Sequence, residues 1–304
     1  MIEVRNLTKY YGEHVGIQDV TFDVQKGEIL GFLGPNGAGK TTTMKILSSY
    51  MPPTSGTARV CGFDVFEDAQ EVKKRVGYLP EHPPLYLDHT VEDYLLFVSE
   101  IKGVPKEKRH SAMDNVIEKC GLGEVKKRLI GNLSKGYRQR VGIAQAMIHN
   151  PDVLILDEPT IGLDPKQIME IRELIRSLGK EHTIILSTHI LQEVTMLCKR
   201  VVIINRGRLV AADTYEQLSS QLSDRFKVYV RVGKPDAKIA EVLKSIPGVK
   251  DVKDSGDSSF IVEMEQDKDV RGKISEAIVK NNWELLEMKQ LSVSLEDIYV
   301  KLIS

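Results

Sequence analysis

Two apolar textures divide this chain. Up to about residue 220, short apolar runs alternate with stretches in which every third or fourth residue is apolar, and beyond Ser223 the runs alternate apolar with polar. Val20, Phe22 and Val24 interleave with Thr21, Asp23 and Gln25, which predicts a half-buried antiparallel strand and a small β layer near the start. Glu28-Ile-Leu-Gly-Phe-Leu33 suits a buried parallel strand, and Lys40 to Leu47 opens a helix free of Gly and Pro. From Val91, apolar residues at Tyr94, Leu95, Val98 and Ile101 keep helical period. Helices are expected to about Asn150, broken at Gly103-Val-Pro105 and Gly121-Leu-Gly123, a helical insertion spanning about 89–150. Strand-like runs return at Val153 to Leu156, Thr183 to Leu186 and Val201 to Ile204, with a helix around Ile168 to Leu178 between them. That alternation predicts a parallel sheet flanked by helices.

Past Ser223 the pattern changes. Phe226, Val228, Val230 and Val232 alternate with polar residues, Ile239, Val242, Leu243 and Ile246 take helical spacing, and Phe260, Val262 and Met264 alternate again. A second helix is marked by Val270, Ile274, Ala277 and Ile278, a fourth strand by Trp283 to Met288, and a terminal helix by Leu295, Ile298, Tyr299 and Leu302. The order β-α-β-β-α-β predicts a split-βαβ sandwich of ferredoxin-like type. The expected fold is thus an α/β domain over 1–222, with an amino-terminal antiparallel layer and a helical insertion, followed by an α+β domain over 223–304.

Composition narrows the function classes. Hydrophobic residues at 41%, charged residues at 28% and a formal net charge of -1 fit a globular protein without a global field for nucleic acid or membrane. No apolar stretch approaches the ~20 residues that span a bilayer, and Glu3, Arg5 and Lys9 interrupt any signal-peptide core, so the chain is expected inside the cell. Cys61, Cys120 and Cys198 are widely spaced without a C-x-x-C, which predicts reduced core thiols instead of disulfides or zinc ligands.

The chemistry starts at Gly34 to Thr41, G-P-N-G-A-G-K-T, which matches G-x-x-x-x-G-K-S/T where a strand hands over to a helix. Backbone N–H groups of Asn36, Gly37, Ala38, Gly39, Lys40, Thr41 and Thr42, with the positive end of the helix, would cradle a triphosphate. Lys40 supplies charge for the β- and γ-phosphates, and the Thr41 hydroxyl can ligate Mg²⁺. Val153-Leu-Ile-Leu-Asp157-Glu158 is an apolar strand ending in two carboxylates, where ligands of α/β proteins collect. Asp157 is placed to hold Mg²⁺ and Glu158 to orient or deprotonate the attacking water. His189, at the end of the Thr183 to Thr188 strand, could donate to a γ-phosphate oxygen.

Leu133-Ser-Lys-Gly-Tyr-Arg-Gln139 resembles the signature sequence of ABC ATPases. The strand ending in Asp157-Glu158, then Gly162-Leu-Asp164 like the D-loop and His189 like the switch histidine, follow in that family's order and spacing. This resemblance, which covers residues 1 to about 215, implies a P-loop NTPase that binds ATP and Mg²⁺. It also implies that Ser134 and Gly136 act on nucleotide held by an opposite subunit, with Asp164 beside them, so that two cassettes close head to tail on two ATP molecules. The partner is then a second copy or a second ABC ATPase, in an isologous pair in the first case. Tyr11 resembles the aromatic that stacks on adenine. The signature has Lys135 and Tyr137 where the commonest form has Gly and Gln, and Glu81 follows Tyr78-Leu-Pro where most members have Gln. Glu81 can still ligate Mg²⁺ or order water, at the cost of a negative charge near the phosphates. These variants, with the appended carboxyl-terminal domain and its Ser294-Leu-Glu-Asp-Ile-Tyr299 ending, resemble the exporter branch of drug-resistance, sodium-efflux and gliding-motility ATPases. That branch implies a separate transmembrane permease docking near Glu81 and a cytoplasmic, peripheral place on the inner face of the membrane.

A soluble ABC ATPase acting on nucleic acid or ribosomes is the alternative; it would call for two cassettes in one chain, coiled-coil arms or a concentrated basic face, and neither of the first two is present. No nucleic-acid partner is therefore expected. For the 224–304 segment, bracing a dimer is preferred to sensing a small ligand, because no charged or Gly-rich cluster marks a pocket.

Overall fold

A computed structural model describes residues 1–215, 217–218, 226–265, 268–291 and 295–303. The chain divides into two compact units, Met1–Thr214 and Tyr215–Leu302. The expected boundary at 222/223, and Ser294 of the terminal sequence, lie outside the described residues.

In the first unit, β1 (Ile2–Tyr11) and β2 (His14–Val24) form a hairpin, and β4 (Ser55–Val60) and β5 (Phe63–Asp64) extend it into an antiparallel sheet of order β2-β1-β4-β5. The alternation read at Val20, Phe22 and Val24 is real: all three are buried, with Val24 opposite Ile2 and Phe22 opposite Val4. The second sheet contains β3 (Ile29–Leu33), β6 (Val76–Leu79), β7 (Val153–Asp157), β8 (Thr183–Thr188), β9 (Arg200–Asn205) and β10 (Arg208–Thr214), in order β10-β9-β3-β8-β7-β6. All its pairings are parallel except the β9–β10 hairpin at one edge.

Helices cover this sheet. They are α1 (Lys40–Leu47), α2 (Ala69–Arg75), α3 (Val91–Ile101), α4 (Arg109–Lys119), α5 (Lys135–Met147), α6 (Pro165–Leu178) and α7 (Leu191–Leu197). Strand side chains alternate between two cores because successive Cβ atoms point to opposite faces. Leu154 and Leu156 of β7 join the cluster containing Leu95, Val116, Val141 and Ile175, while Val153 and Ile155 join the one containing Phe22, Phe32 and Met44. The helical insertion therefore packs on one face of the sheet, and α1 with the antiparallel layer on the other. Thr90 caps α3 by accepting the Asp93 N–H, and the predicted breaks at Gly103-Val-Pro105 and Gly121-Leu-Gly123 separate α3, α4 and the segment leading to α5.

The second unit contains β11 (Phe226–Val232), α8 (Ile239–Lys244), β12 (Val249–Gly256), β13 (Ser259–Met264), α9 (Arg271–Lys280), β14 (Leu285–Leu291) and α10 (Leu295–Ile303). Its sheet is antiparallel throughout, of order β12-β13-β11-β14, and Val228, Val230, Val262, Ile239, Ile274 and Trp283 share its core. The fourth strand starts two residues later than the Trp283 to Met288 expected from sequence. Trp283 is instead a buried anchor whose indole donates to Asp236 at 3.3 Å, and Glu284 takes a left-handed φ of 55°, outside the extended region in which the strand begins.

Candidate functional site

Three neighbouring strands end at the same edge. Leu33 of β3 lies beside Thr188 of β8, and Ser187 of β8 beside Asp157 of β7, so the loops after β3, β7 and β8 are brought together by parallel register. The first is the phosphate loop. Its last glycine, Gly39, has φ 106° and occupies the N-cap of α1, where a Cβ would lie 2.5 Å from Ile17 Cγ2 and 2.8 Å from the Gly16 carbonyl. Only glycine lets the loop lie so close to the antiparallel layer. No side chain caps α1, and its first turn carries no carboxylate, which leaves N–H groups directed at the cleft.

Lys40 is 6% exposed and held from three sides: Nζ donates to the Gly34 carbonyl at 2.8 Å and the Pro35 carbonyl at 3.3 Å, and pairs with Glu158 Oε1 at 3.2 Å. The other oxygen of Glu158 meets His189 Nδ1 at 2.9 Å. Glu158 itself is 4% exposed and has a positive φ of 50°, a conformation costing a non-glycine residue about 1 kcal/mol or more, kept in place by its N–H bond to the Ser187 carbonyl at 2.9 Å.

Asp157 is wholly buried. Ser187 Oγ donates to its Oδ1 at 2.7 Å, while Oδ2 has no hydrogen-bond partner. Burial pushes this carboxyl above its ordinary pKa of 3.8, against the lowering effect of the Ser187 and Thr41 hydroxyls; the charges of Glu158 and Glu81 raise it further. A buried carboxylate oxygen without a donor, beside a threonine hydroxyl, is a donor set that suits a hard divalent cation. Among the predicted site residues, Tyr11, Asn36, Gly37, Gly39, Lys40, Thr41, Thr42, Glu81 and Glu158 line one cleft of about 370 Å³. Tyr11 stands at its rim, 45% exposed, with its hydroxyl 3.4 Å from Thr42 Oγ1 and 3.2 Å from Met51 Sδ. Ala38 is buried against the β layer.

Ser134, Gly136 and Asp164 are elsewhere, in a second cleft of about 470 Å³ that also includes Tyr137, Arg140 and Gln167. Ser134 is the N-cap of α5 and accepts the Tyr137 N–H; Asp164 is the N-cap of α6 and accepts the Gln167 N–H at 2.9 Å. Lys135 extends over Gly162 in the same chain. Sequence reasoning missed Ser187 and His14. Ser187 is readable only from the strand register that sets it beside Asp157, and His14, a cleft-lining residue, only from the hairpin that carries Tyr11.

Chemistry collected where parallel strands β3, β8 and β7 end is the mark of nucleotide-hydrolysing proteins of the phosphate-loop class. Residues 17–161 match the ABC transporter family. The chain is 38% identical, over its whole length and 97% of the relative, to the bacitracin transport ATP-binding protein BcrA of Bacillus licheniformis. It is 32% identical to the linearmycin resistance ATP-binding protein LnrL of Bacillus subtilis (strain 168), over 83% of this chain and 81% of that one. A solved ATP-binding subunit of an ABC transporter superposes with a TM-score of 0.67 at 31% identity, over 73% of this chain and 93% of that one. The chain belongs to the ABC transporter ATP-binding proteins: it is the subunit that binds ATP and couples its hydrolysis to transport. Among the described residues, no helix is long and apolar enough to cross a membrane.

Proposed function

We propose that the chain is one half of a head-to-tail ATPase pair that drives a separately encoded permease in the export direction, from the cytoplasmic face of the membrane. The observation that carries this reading is the division of labour between the two clefts. One is lined by Lys40, Thr41 and Glu158, with His189 bonded to Glu158 and Asp157 buried next to it in sequence, and the other presents Ser134, Gly136 and Asp164 with no phosphate-binding loop of its own. A second copy, or another ABC ATPase, turned through a two-fold would bring each signature cleft to the other's phosphate loop.

Within that pair, the uncapped start of α1 and Lys40 bind the phosphates, which replace Glu158 as the partner of the ammonium group. Glu158, freed on that side and held by His189 on the other, takes the proton of the attacking water. Asp157, Thr41 and Glu81 are the residues that would hold Mg²⁺, whose charge offsets that of the phosphate oxygens when bound. Because Ser134 Oγ accepts from Tyr137 N–H, its own proton remains available to donate outward to the partner's γ-phosphate. Tyr11 offers its ring face to adenine.

The export direction rests on the likeness to the bacitracin and linearmycin proteins. The cassette is taken as 1–222 and the accessory domain as 223–304. The order β12-β13-β11-β14 with α8 and α9 as crossovers supports a ferredoxin-like sandwich, with bracing of the dimer as its role. Affinity isolation of the tagged full-length chain from its host's membranes tests the whole reading. A polytopic membrane protein should come with it, and depend on the region around Glu81. Recovery of ribosomes or nucleic acid in a salt-sensitive complex, without a membrane protein, would overturn it.

A further inference from the structure

One buried carboxylate in the cassette takes no part in the reading above. Glu193, the third residue of α7, is 0% exposed, and its Oε1 accepts the hydroxyl of Thr160, itself 2% exposed. Its Oε2 has no hydrogen-bond partner. Such a group is costly to bury, and an apolar residue would fill the same space at lower cost, so its retention asks for a reason.

The connectivity supplies one. Thr160 follows Glu158 by two residues, on the segment that leaves β7 for the Gly162-Leu-Asp164 loop. Glu193 follows His189 by four, at the start of the helix that leaves β8. The two loops are already tied at their bases by the strand register and at their working ends by the Glu158–His189 contact of 2.9 Å. The Thr160–Glu193 bond closes the far side of the same ring of chain. Three cross-links fix the relative position of two loops far better than two, because a pair of links still leaves a hinge axis. The bond is shielded from water, the setting in which one hydrogen bond holds geometry most firmly. Glu158 needs that restraint: its positive φ is a conformation its own sequence does not favour.

We propose that Thr160 and Glu193 are positioning residues that hold the Glu158 loop against the His189 loop, so that base and histidine stay in register for hydrolysis. The proposal rests on Glu158 and His189 acting as read above. Neither Thr160 nor Glu193 lines the phosphate-loop cleft, so the pair acts on turnover and leaves nucleotide affinity alone.

The test is steady-state ATPase kinetics of the full-length chain. Thr160→Val, which keeps the side-chain shape and removes the donor, should lower kcat about tenfold while KM for ATP stays within about twofold. Thr160→Ser and Glu193→Gln each keep a donor and an acceptor in place and should recover most of that loss. Glu193→Leu should match Thr160→Val, and the double variant should be no slower than the slower single, because one bond is lost in all three. In a His189→Ala background, Thr160→Val should cost less than in the parent. Should Thr160→Val fail to fold, the Glu193→Gln and Glu193→Leu pair carries the same comparison. Equal kcat for Glu193→Leu and the parent, or additive losses in the double variant, would overturn the positioning role. Glu158→Gln separates the two layers of inference: if that variant still turns over at the parental rate, the role of Glu158 falls, whereas a dead Glu158→Gln beside an unaffected Thr160→Val sinks the positioning pair alone.

Discussion

The two clefts of the cassette contain helix N-termini finished in opposite ways. At the phosphate-loop cleft, α1 begins at Gly39 with no side-chain cap and no acidic residue in its first turn, while the nearest carboxylates are bound to Lys40, His189 and Ser187. At the signature cleft, α5 and α6 are both capped by their own chain, through Ser134 and Asp164. An uncapped helix end beside a buried cation is a built anion site. A capped one is complete as protein and can at most lend a remaining donor proton to a ligand held elsewhere. In the proposed pair, this difference is what lets one chain bind nucleotide while hydrolysis draws on two.

The sharpest way to break this contrast is to disable the first cleft's chemistry and leave its binding intact. Glu158→Gln keeps the shape and a partner for His189 but removes the base, and turnover should fall about 10³-fold. ATP should still bind, and the protein should accumulate as an ATP-loaded dimer on size exclusion. Full turnover in this variant would end the assignment of the base.

Next in size is the second cleft. Ser134→Arg places bulk and charge where the partner's phosphate would arrive, and should cost about 10²-fold in hydrolysis with ATP affinity unchanged. Mixing decides whether the effect is in trans. Lys40→Ala and Ser134→Arg chains, each strongly impaired alone, should regain activity together, since a mixed dimer contains one intact pairing of a sound phosphate loop with a sound signature. If the mixture stays dead while mixed dimers form, the two clefts do not meet across a subunit boundary.

A smaller effect falls on the rim of the first cleft. Tyr11→Ala should weaken ATP binding about tenfold by removing the stacking face, with Tyr11→Phe close to the parent. Equal losses in both would assign the effect to the hydroxyl contacts with Thr42 and Met51 instead.

Much of this was legible in the sequence, for different physical reasons in different places. Helices starting at Val91 and Lys40 stand where the sequence set them, because one follows apolar periodicity up to the Gly103-Val-Pro105 break and the other the glycine-rich phosphate loop. In the second unit the strands were read from their apolar pattern alone, and the fourth slipped by two residues because that pattern does not register a backbone turn at Glu284. The phosphate loop, carboxylate pair and strand-end histidine are local motifs, each readable where it stands. What could not be read was their mutual locking. Lys40 binds Glu158 across more than a hundred residues, and Thr160 finds Glu193 from a different strand's loop. Those contacts depend on the strand order β3-β8-β7, which no local pattern encodes.

The smallest expected effect tests whether the first cleft is built at a cost to the fold. Asp157 is wholly buried with one oxygen unpartnered, and burial raises its pKa above the ordinary 3.8. A carboxyl whose pKa is higher folded than unfolded stabilises the fold fully at pH below the unfolded value. That contribution is lost as pH rises through the folded value, so at neutral pH the ionised side chain is a liability. Asp157→Asn keeps an acceptor for Ser187 without the charge. It should therefore raise unfolding free energy at pH 7 by about 1 kcal/mol while abolishing Mg²⁺-dependent hydrolysis. The advantage should shrink as pH falls through the raised pKa and the parent's own carboxyl takes up its proton. Denaturant melts of both chains across that range measure the gap. A variant that is less stable than the parent at pH 7, or a gap that widens toward acid, would show that Asp157 is held by its surroundings as a satisfied structural carboxylate, and that the first cleft asks no more of the fold than the second.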